Sequence, residues 1–317
     1  MKFTAALLAA TASANSVSTK FMEHIIKFGL NMPSVEEYNQ RRELFSEMDS
    51  FIAAHNETNA SFTLGHNQFS HMTEGEKART RGLLNPEYLM AGEPKVFSED
   101  SLPSSVDWRT ANAVNPIQDQ GHCGSCWAFS TMAAVEGAHA IATGELLKFS
   151  EQQLVDCSTL NNGCNGGSMA LAFLYLESHY AELESVYPYK GVDGTCAYNS
   201  KSKTAVETTG YTNVTARSSS QMMASIATGV VSVAIEADQA VFQMYSSGVF
   251  DSAQCGTNLD HGVTLVGYGS ENGQDYYILR NSWGTTWGDQ GYMKIANTGS
   301  GAGICGVQLA GVFPQSN

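Results

Sequence analysis

The first 122 residues contain no cysteine, and the whole 317-residue chain is poor in charge. Asp, Glu, Lys and Arg make up 15 % of it, against about a quarter in an ordinary globular protein. What charge there is leans one way: 17 basic residues against 31 acidic, a formal net of −14. An excess of that sign repels phosphate backbones and anionic headgroups, which argues against nucleic-acid and membrane-surface binding. With 43 % hydrophobic residues, wholesale disorder is excluded. Internal repeats, low-complexity tracts and any segment of transmembrane length are also missing. The length suits about two domains with a large core.

The N-terminus reads as a processing signal. Met1-Lys2 precedes a stretch from Phe3 to Thr19 without charge, and Ala12-Ser13-Ala14 offers a small-x-small cleavage pattern. This predicts a secretory leader over 1–14, too short and too rich in Ser and Thr to cross a bilayer. The cysteines agree: Cys123, Cys126, Cys157, Cys164, Cys196, Cys255 and Cys305 are seven. In a secreted chain six can pair, and the thiol left over is a candidate for reactivity. Parity alone says neither which one is free nor how the others join.

Residues 15–101 form a second piece. Pro33-Ser34 followed by Glu36-Glu37 predicts a helix from about Ser34 to His55, with Glu37, Arg41, Phe45, Met48, Ile52 and Asn56 along one face. From Gly82 to Ser101 no period is visible, and the stretch reads as an extended linker with a boundary near Leu102-Pro103. Residues 113–212 look helical. An Ala-rich run from Ser125 to Ala142 ends at Gly144. A second helix starts at an N-cap Ser150, with Gln153 placed to reach back, and a third runs from Ser168 to His179. Residues 213–317 carry strand patterns at Val230–Ile235, His261–Tyr268, Tyr276–Arg280 and Gly291–Ile295. Helices followed by strands predict an α+β fold.

The densest motif runs from Gln118 to Ser130 and contains Cys123-Gly124-Ser125-Cys126-Trp127. A thioredoxin-type redox pair would need a preceding buried strand in a βαβ context, which is absent. A zinc site would need a second Cys/His pair at ligand spacing, but Cys157 and Cys164 are too far apart in sequence. The third reading is a nucleophile at a helix start, where the macrodipole and a neighbouring imidazolium favour the thiolate. That reading requires a histidine and an orienting side chain far downstream. His261 follows Cys126 by 135 residues, and Asn281, in Asn281-Ser282-Trp283-Gly284, follows it by 155.

These blocks, with Gln120, Cys164-Asn165-Gly166-Gly167, Asp260-His261-Gly262 and Trp287–Tyr292, resemble the papain-like cysteine peptidases of the cathepsin L type, in family order and over nearly the whole chain. The resemblance implies a two-lobed papain-like fold, with a helical left lobe and a β-barrel-like right lobe, behind a mainly helical inhibitory propeptide. It implies a mature peptidase over 102–317, with Cys126 as nucleophile, His261 as base and then acid, and Asn281 as orienter. Gln120 and the Cys126 backbone N–H would form the oxyanion hole, and Trp283 would shield the Asn281–His261 contact. It implies bridges Cys123–Cys164, Cys157–Cys196 and Cys255–Cys305. Gly124, Gly166, Gly167 and Asp260 would meet the substrate, and Met169, Ala234, Leu259 and Ala310 would form an uncharged pocket for an apolar residue at P2. A helix that starts directly at Ser168 leaves no room for a capping loop there, so internal cleavage is expected.

Glu37, Arg41, Phe45, Ile52 and Asn56 match the propeptide signature, as do Gly65, Asn67 and Phe69. Met48 replaces the usual Asn, and His71 the usual Asp, which would let His71 gain charge in acidic surroundings. The expected partners are protein and peptide substrates, the chain's own propeptide and cystatin-like inhibitors. A monomer without metal or cofactor is expected, in the secretory pathway and bound for a lysosome-like acidic vacuole or the exterior. Sequons at Asn56, Asn59 and Asn213 permit glycosylation. Residues 102–317, with 8 basic and 18 acidic side chains, would suit acidic surroundings.

Overall fold

A computed structural model describes residues 17–84, 86–89, 93–201 and 208–316. The leader expected over 1–14 lies outside them. Residues 17–28 form helix α1, which the sequence pattern did not reveal. Helix α2, Val35–Asn56, starts where the Ser34 hydroxyl accepts from the Glu37 N–H at 3.1 Å, with Glu36 and Glu37 in the first turn. Strand β1 (Phe62–Leu64), helix α3 (Glu74–Ala78) and strand β2 (Pro94–Lys95) complete the first third.

Strand β3 (Val106–Asp107) leads to the helical lobe: α4 (Cys126–Thr143), α5 (Glu151–Cys157) and α6 (Met169–Leu176). Gly144 caps α4, and Ser150 caps α5 by accepting from the Gln153 N–H at 3.0 Å. Gln153 does not reach back as expected. Its amide is taken by the Tyr180 carbonyl at 2.9 Å and the Glu182 N–H at 2.7 Å. Helix α6 ends before His179, whose ring turns back onto the Tyr175 carbonyl at 2.9 Å and stacks on the Tyr175 ring. The strand lobe follows: β4 (Thr208–Val214), α7 (Ser219–Thr228), β5 (Val231–Ile235), α8 (Ala240–Gln243), β6 (Tyr245–Phe250), β7 (His261–Glu271), β8 (Gln274–Arg280), β9 (Tyr292–Ala296) and β10 (Gly311–Ser316).

The strands make one open path, β1-β6-β9-β8-β7-β5-β10-β4-β2, with β3 added against β7. The barrel-like lobe is therefore not a closed barrel among the described residues. Both ends of the path belong to the first third of the chain. At one end β1 pairs antiparallel with β6, Phe62 facing Gly248. Gly248 is needed there: its φ is +88°, and a Cβ would stand 2.3 Å from the Ser61 carbonyl oxygen.

Two hydrophobic cores result. One fills the strand lobe and includes Phe242, Leu265, Tyr277 and Trp287. The other joins α4, α5 and α6 through Trp127, Met132, Leu154 and Phe173. The first third plugs into both: Ile52, Phe62, Leu64, Phe69 and Phe97 enter the former, and Leu83 the latter. At about 25 cal/mol per Å² of apolar surface, each such fully buried side chain is worth about 2–3 kcal/mol of attachment. No described helix is long and apolar enough to cross a membrane.

Candidate active site

Cys126 is the first residue of α4, fully buried, at the positive end of an 18-residue helix. Disulfides join Cys123 to Cys164, Cys157 to Cys196 and Cys255 to Cys305, so Cys126 alone is free. No dithiol exists at Cys123 and Cys126, which removes the redox reading.

His261 opens β7 and is also fully buried. Its Nε2 donates to the Asn281 carbonyl oxygen, Oδ1, at 2.9 Å. That bond leaves Nδ1 as the bare nitrogen of the neutral ring, and this atom has no hydrogen-bond partner. Trp283 stacks on the imidazole, ring centroids 4.6 Å apart, and covers it from one side. The strand start and the helix start touch: a Cβ on Gly262 would stand 3.3 Å from the Cys126 carbonyl oxygen, and the Gly262 N–H favours the Cys126 thiolate.

Gln120, fully buried, is fixed at both ends of its amide. Nε2 donates to the Cys123 carbonyl at 2.8 Å, and Oε1 accepts from the Ser282 hydroxyl at 2.6 Å. Its backbone carbonyl accepts from Tyr189, whose hydroxyl also meets Ser125 at 2.7 Å. Met169, Ala234 and Ala310 are buried in one cluster, with Leu259 packed against it.

The first third runs straight through this site. The Thr80 carbonyl accepts from Gln120 Nε2 at 3.0 Å and from Trp283 Nε1 at 3.1 Å. The Gly82 carbonyl accepts from the Gly167 N–H and Leu84 N–H donates to the Gly167 carbonyl, both at 2.8 Å, making Leu83 and Gly167 a parallel bridge. Leu83 N–H donates to the Asp260 carbonyl at 3.0 Å, and its side chain joins the cluster of Met169, Ala234 and Ala310. Arg81 pairs with the Asp260 carboxylate at 2.8 Å. Gly82 must lack a side chain, since a Cβ would sit 2.0 Å from the Gly124 carbonyl oxygen. Thr80, Arg81 and Leu83 were not legible in the sequence: an extended segment paired to walls 40 to 200 residues away leaves no local period.

This cover sets the electrostatics. Burial pushes the Cys126 thiol up to about 11, against the pull of neighbouring backbone N–H groups, and pushes His261 down to about 3, against the Asn281 hydrogen bond. Both shifts favour a thiol and a neutral imidazole over the charged pair while the cover is in place. Iodoacetamide is therefore expected to label Cys126 in the full chain at least about a hundredfold more slowly than after the cover leaves, because only the thiolate reacts. Equal rates by mass spectrometry would contradict the cover.

The residues singled out along Glu37–Asn56 and Gly65–Phe69 make contacts within the first third and onto the strand lobe. Arg41 donates Nε to Glu37 at 2.7 Å, binds Glu76 with both terminal nitrogens and reaches the His71 carbonyl at 3.2 Å. Phe45 stacks on His66, and Ile52 enters the strand-lobe core. Asn56 binds both backbone groups of Leu64. Gly65 N–H reaches the Met244 carbonyl, Asn67 the Gln243 carbonyl, and Phe69 sits edge-on to Trp283 at 4.7 Å. Met48 packs against the core, and His71 meets His24 at 2.9 Å. Two of the three sequons are engaged, Asn56 through its amide and Asn213 by burial in β4, so a glycan on either would cost those contacts. Asn59 is exposed. Among the described residues no cluster of three or more His, Cys, Asp or Glu side chains could hold a metal ion.

Two family models match: the papain family cysteine protease over residues 102–315 and the cathepsin propeptide inhibitor domain over 21–76. Cysteine proteinase RD21A of Arabidopsis thaliana is 44 % identical over 90 % of this chain, which spans 63 % of that protein. Cysteine proteinase COT44 of Brassica napus is 42 % identical over 88 % of this chain and 89 % of its own length. The solved digestive procathepsin L2 proteinase of Tenebrio molitor larval midgut superposes with a TM-score of 0.88 at 36 % identity, over 94 % of this chain and 99 % of that one. The chain belongs to the papain family of cysteine proteases, with a cathepsin-type propeptide inhibitor domain ahead of the protease domain.

Proposed function

We propose that the chain is the zymogen of a cysteine endopeptidase and that residues 15–101 are its inhibitor, cut away near Leu102. The observation that carries this reading is an imidazole tied to Asn281 at Nε2 and bare at Nδ1, on a strand whose next residue, Gly262, packs against the backbone of the one free cysteine at a helix head. With the cover gone, water and the helix dipole favour the thiolate–imidazolium pair. The thiolate attacks the scissile carbonyl. The resulting oxyanion takes hydrogen bonds from the Cys126 backbone N–H and Gln120 Nε2, freed from Thr80. The His261 imidazolium then gives its proton to the leaving amine. Water, deprotonated by the same nitrogen, splits the thioester and regenerates the thiol.

The apolar cluster that Leu83 joins would take the P2 side chain. Its members Met169, Ala234 and Ala310, with Leu259 packed against them, carry no charge, so Leu, Phe or Val is favoured and a charged residue would be buried unpaired. The parallel bridge of Leu83 with Gly167 supports a propeptide running opposite to a substrate. Helix α6 beginning right after Ser168 supports internal cleavage. Three disulfides and a propeptide support passage through the secretory pathway to an acidic vacuole or the exterior.

The test is cleavage of N-terminally blocked fluorogenic peptides by the matured chain. Leu, Phe or Val at P2 should exceed Lys or Asp by about a hundredfold in kcat/KM. An epoxide that alkylates thiols should label the wild type and not Cys126→Ser. Release of dipeptides only, or no turnover of blocked peptides, would defeat the reading.

A further inference from the structure

The second end of the sheet holds a contact that neither inhibition nor catalysis uses. Strand β2 lies parallel on β4, Pro94 beside Asn213 and Lys95 beside Val214, and forms the outermost strand there. Two residues on, Phe97 is 4 % exposed although every residue around it from 93 to 100 is exposed. Its ring enters the strand-lobe core, edge-on to Phe313 at 6.0 Å.

Its backbone is read in both directions by one side chain. Gln221 Oε1 accepts from the Phe97 N–H at 2.8 Å, and Gln221 Nε2 donates to the Phe97 carbonyl at 3.0 Å. Gln221 belongs to the first turn of α7, held there by the Ser218 cap, and is itself 7 % exposed. Ser220 and Gln221 also bind the Glu99 carboxylate. A side-chain amide paired to both groups of one residue imitates a neighbouring strand, and an aromatic pocket beside a sheet edge supplies side-chain selectivity. The segment lies in residues 77–101, between the two stretches matched by the family models.

Cutting near Leu102 and losing everything before it would bare β4 as an edge, open the apolar Phe97 pocket to water and take from Gln221 both of its partners on Phe97. We propose that the groove between β4 and α7 is a second peptide-binding site of the peptidase body, built for an extended strand with one buried aromatic side chain, and that residues 93–99 stay in it after the inhibitory helices are cut away. Activation then has two stages: a cut upstream of Glu93 frees the cleft, and the docked strap is trimmed later, at the exposed residues 98–101. The site is independent of the catalytic reading; only its place in maturation rests on that reading.

Two arms separate the claims. In the first, the wild-type chain is matured and each active species is identified by intact mass and N-terminal sequence. The first active species should begin upstream of Pro94, and Phe97→Ala or Gln221→Ala should lower its share at least about tenfold in favour of a start near Leu102. A wild-type species that begins near Leu102 from the outset, with no Phe97-containing peptide co-purifying, overturns the proposal. In the second, the full chain carrying Cys126→Ser is digested with subtilisin, so no activity of its own is needed. Cleavage within residues 93–101 should be about tenfold slower than in the Cys126→Ser/Phe97→Ala chain. Equal rates, with unchanged melting temperatures, remove the docking site whatever the first arm gives. A chain that never matures yet protects its strap would refute the peptidase reading and leave the site standing.

Discussion

Cys126→Ser will cut kcat on a blocked apolar peptide by about a million-fold, to background, while the melting temperature of the zymogen stays where it was. In the proposed mechanism the sulfur is an anion at the moment of attack, and a serine hydroxyl in the same place would ionise far too weakly for an imidazole held by an amide oxygen to compensate. His261 is oriented by Asn281, a neutral partner, and covered by Trp283. The pair therefore depends on the thiol's own acidity and on the head of α4. His261→Ala should be as damaging, and the double variant no worse than either single one, because the two groups act as a unit. Gln120→Ala should cost less, about a hundred- to a thousandfold in kcat, as loss of one oxyanion donor does. Gln120→Glu, which keeps the Ser282 contact but presents oxygen where a donor is needed, should match it. Cys126→Ser retaining more than about a hundredth of wild-type kcat would mean that another group attacks the bond.

Lowering the pH from about 6.5 to 4 will release the inhibitor, and His24→Phe with His71→Asp will weaken that response. His24 and His71 meet at 2.9 Å, both nearly buried, with His24 also ringed by Phe21, Phe28 and Phe45. Burial, then the facing His71 and His66, pushes His24 down to about 3; burial, then Arg41, pushes His71 down to about 4. A folded value below the free value of 6.5 means that protons prefer a chain in which the packing of residues 17–76, and with it the docked inhibitor, has opened. The docked state is thus fully stable above about 6.5, loses ground as the pH falls towards 4, and loses little more below 3. Each histidine weakens the hold by up to about tenfold per pH unit in that window.

His66 and His261, also pushed down by burial, add to the release with the same sign, whereas two neighbouring carboxylates do not. Glu76 is held down at about 2, chiefly by its hydrogen bonds to Arg41, so the Arg41–Glu76 pair stays ionised throughout. Asp260 is pushed up to about 6 by burial, the opposite sign, so acid favours its covered state despite the Arg81 pair. Phenylalanine at position 24 fits the aromatic nest and cannot titrate. Maturation rate against pH is the measurement. A double variant with the wild-type profile would assign the acid response elsewhere.

What the sequence made legible depended on whether the signal was local. Ser34 with Glu36 and Glu37, or Ser150 ahead of α5, name helix starts because the cap and the helix are neighbours. Cys126, His261 and Asn281 could be singled out as candidates from chemistry, since each sits in a block whose residue types have few other uses together, and Gln120 only from the family resemblance. By contrast β1 and β2 are three and two residues long and owe their existence to partners far along the chain, Gly248 and Asn213 among them. No alternation can develop in so few residues. Helix α1 escaped because its buried positions, Phe21 and His24, include a residue that reads as polar until His71 is placed beside it. His71 itself was noticed as a departure from the family pattern, but its partner could come only from tertiary structure.

The β1–β6 pairing bears on how the protein is made. Residues 62–64 pair with a strand that arrives almost two hundred residues later in synthesis. The inhibitor thus offers a ready edge on which the late-emerging lobe can assemble. Once it has been digested, that template cannot be recovered. A matured molecule that unfolds must refold without that edge, so how slowly it comes apart is expected to govern its useful life more than an equilibrium between two states does.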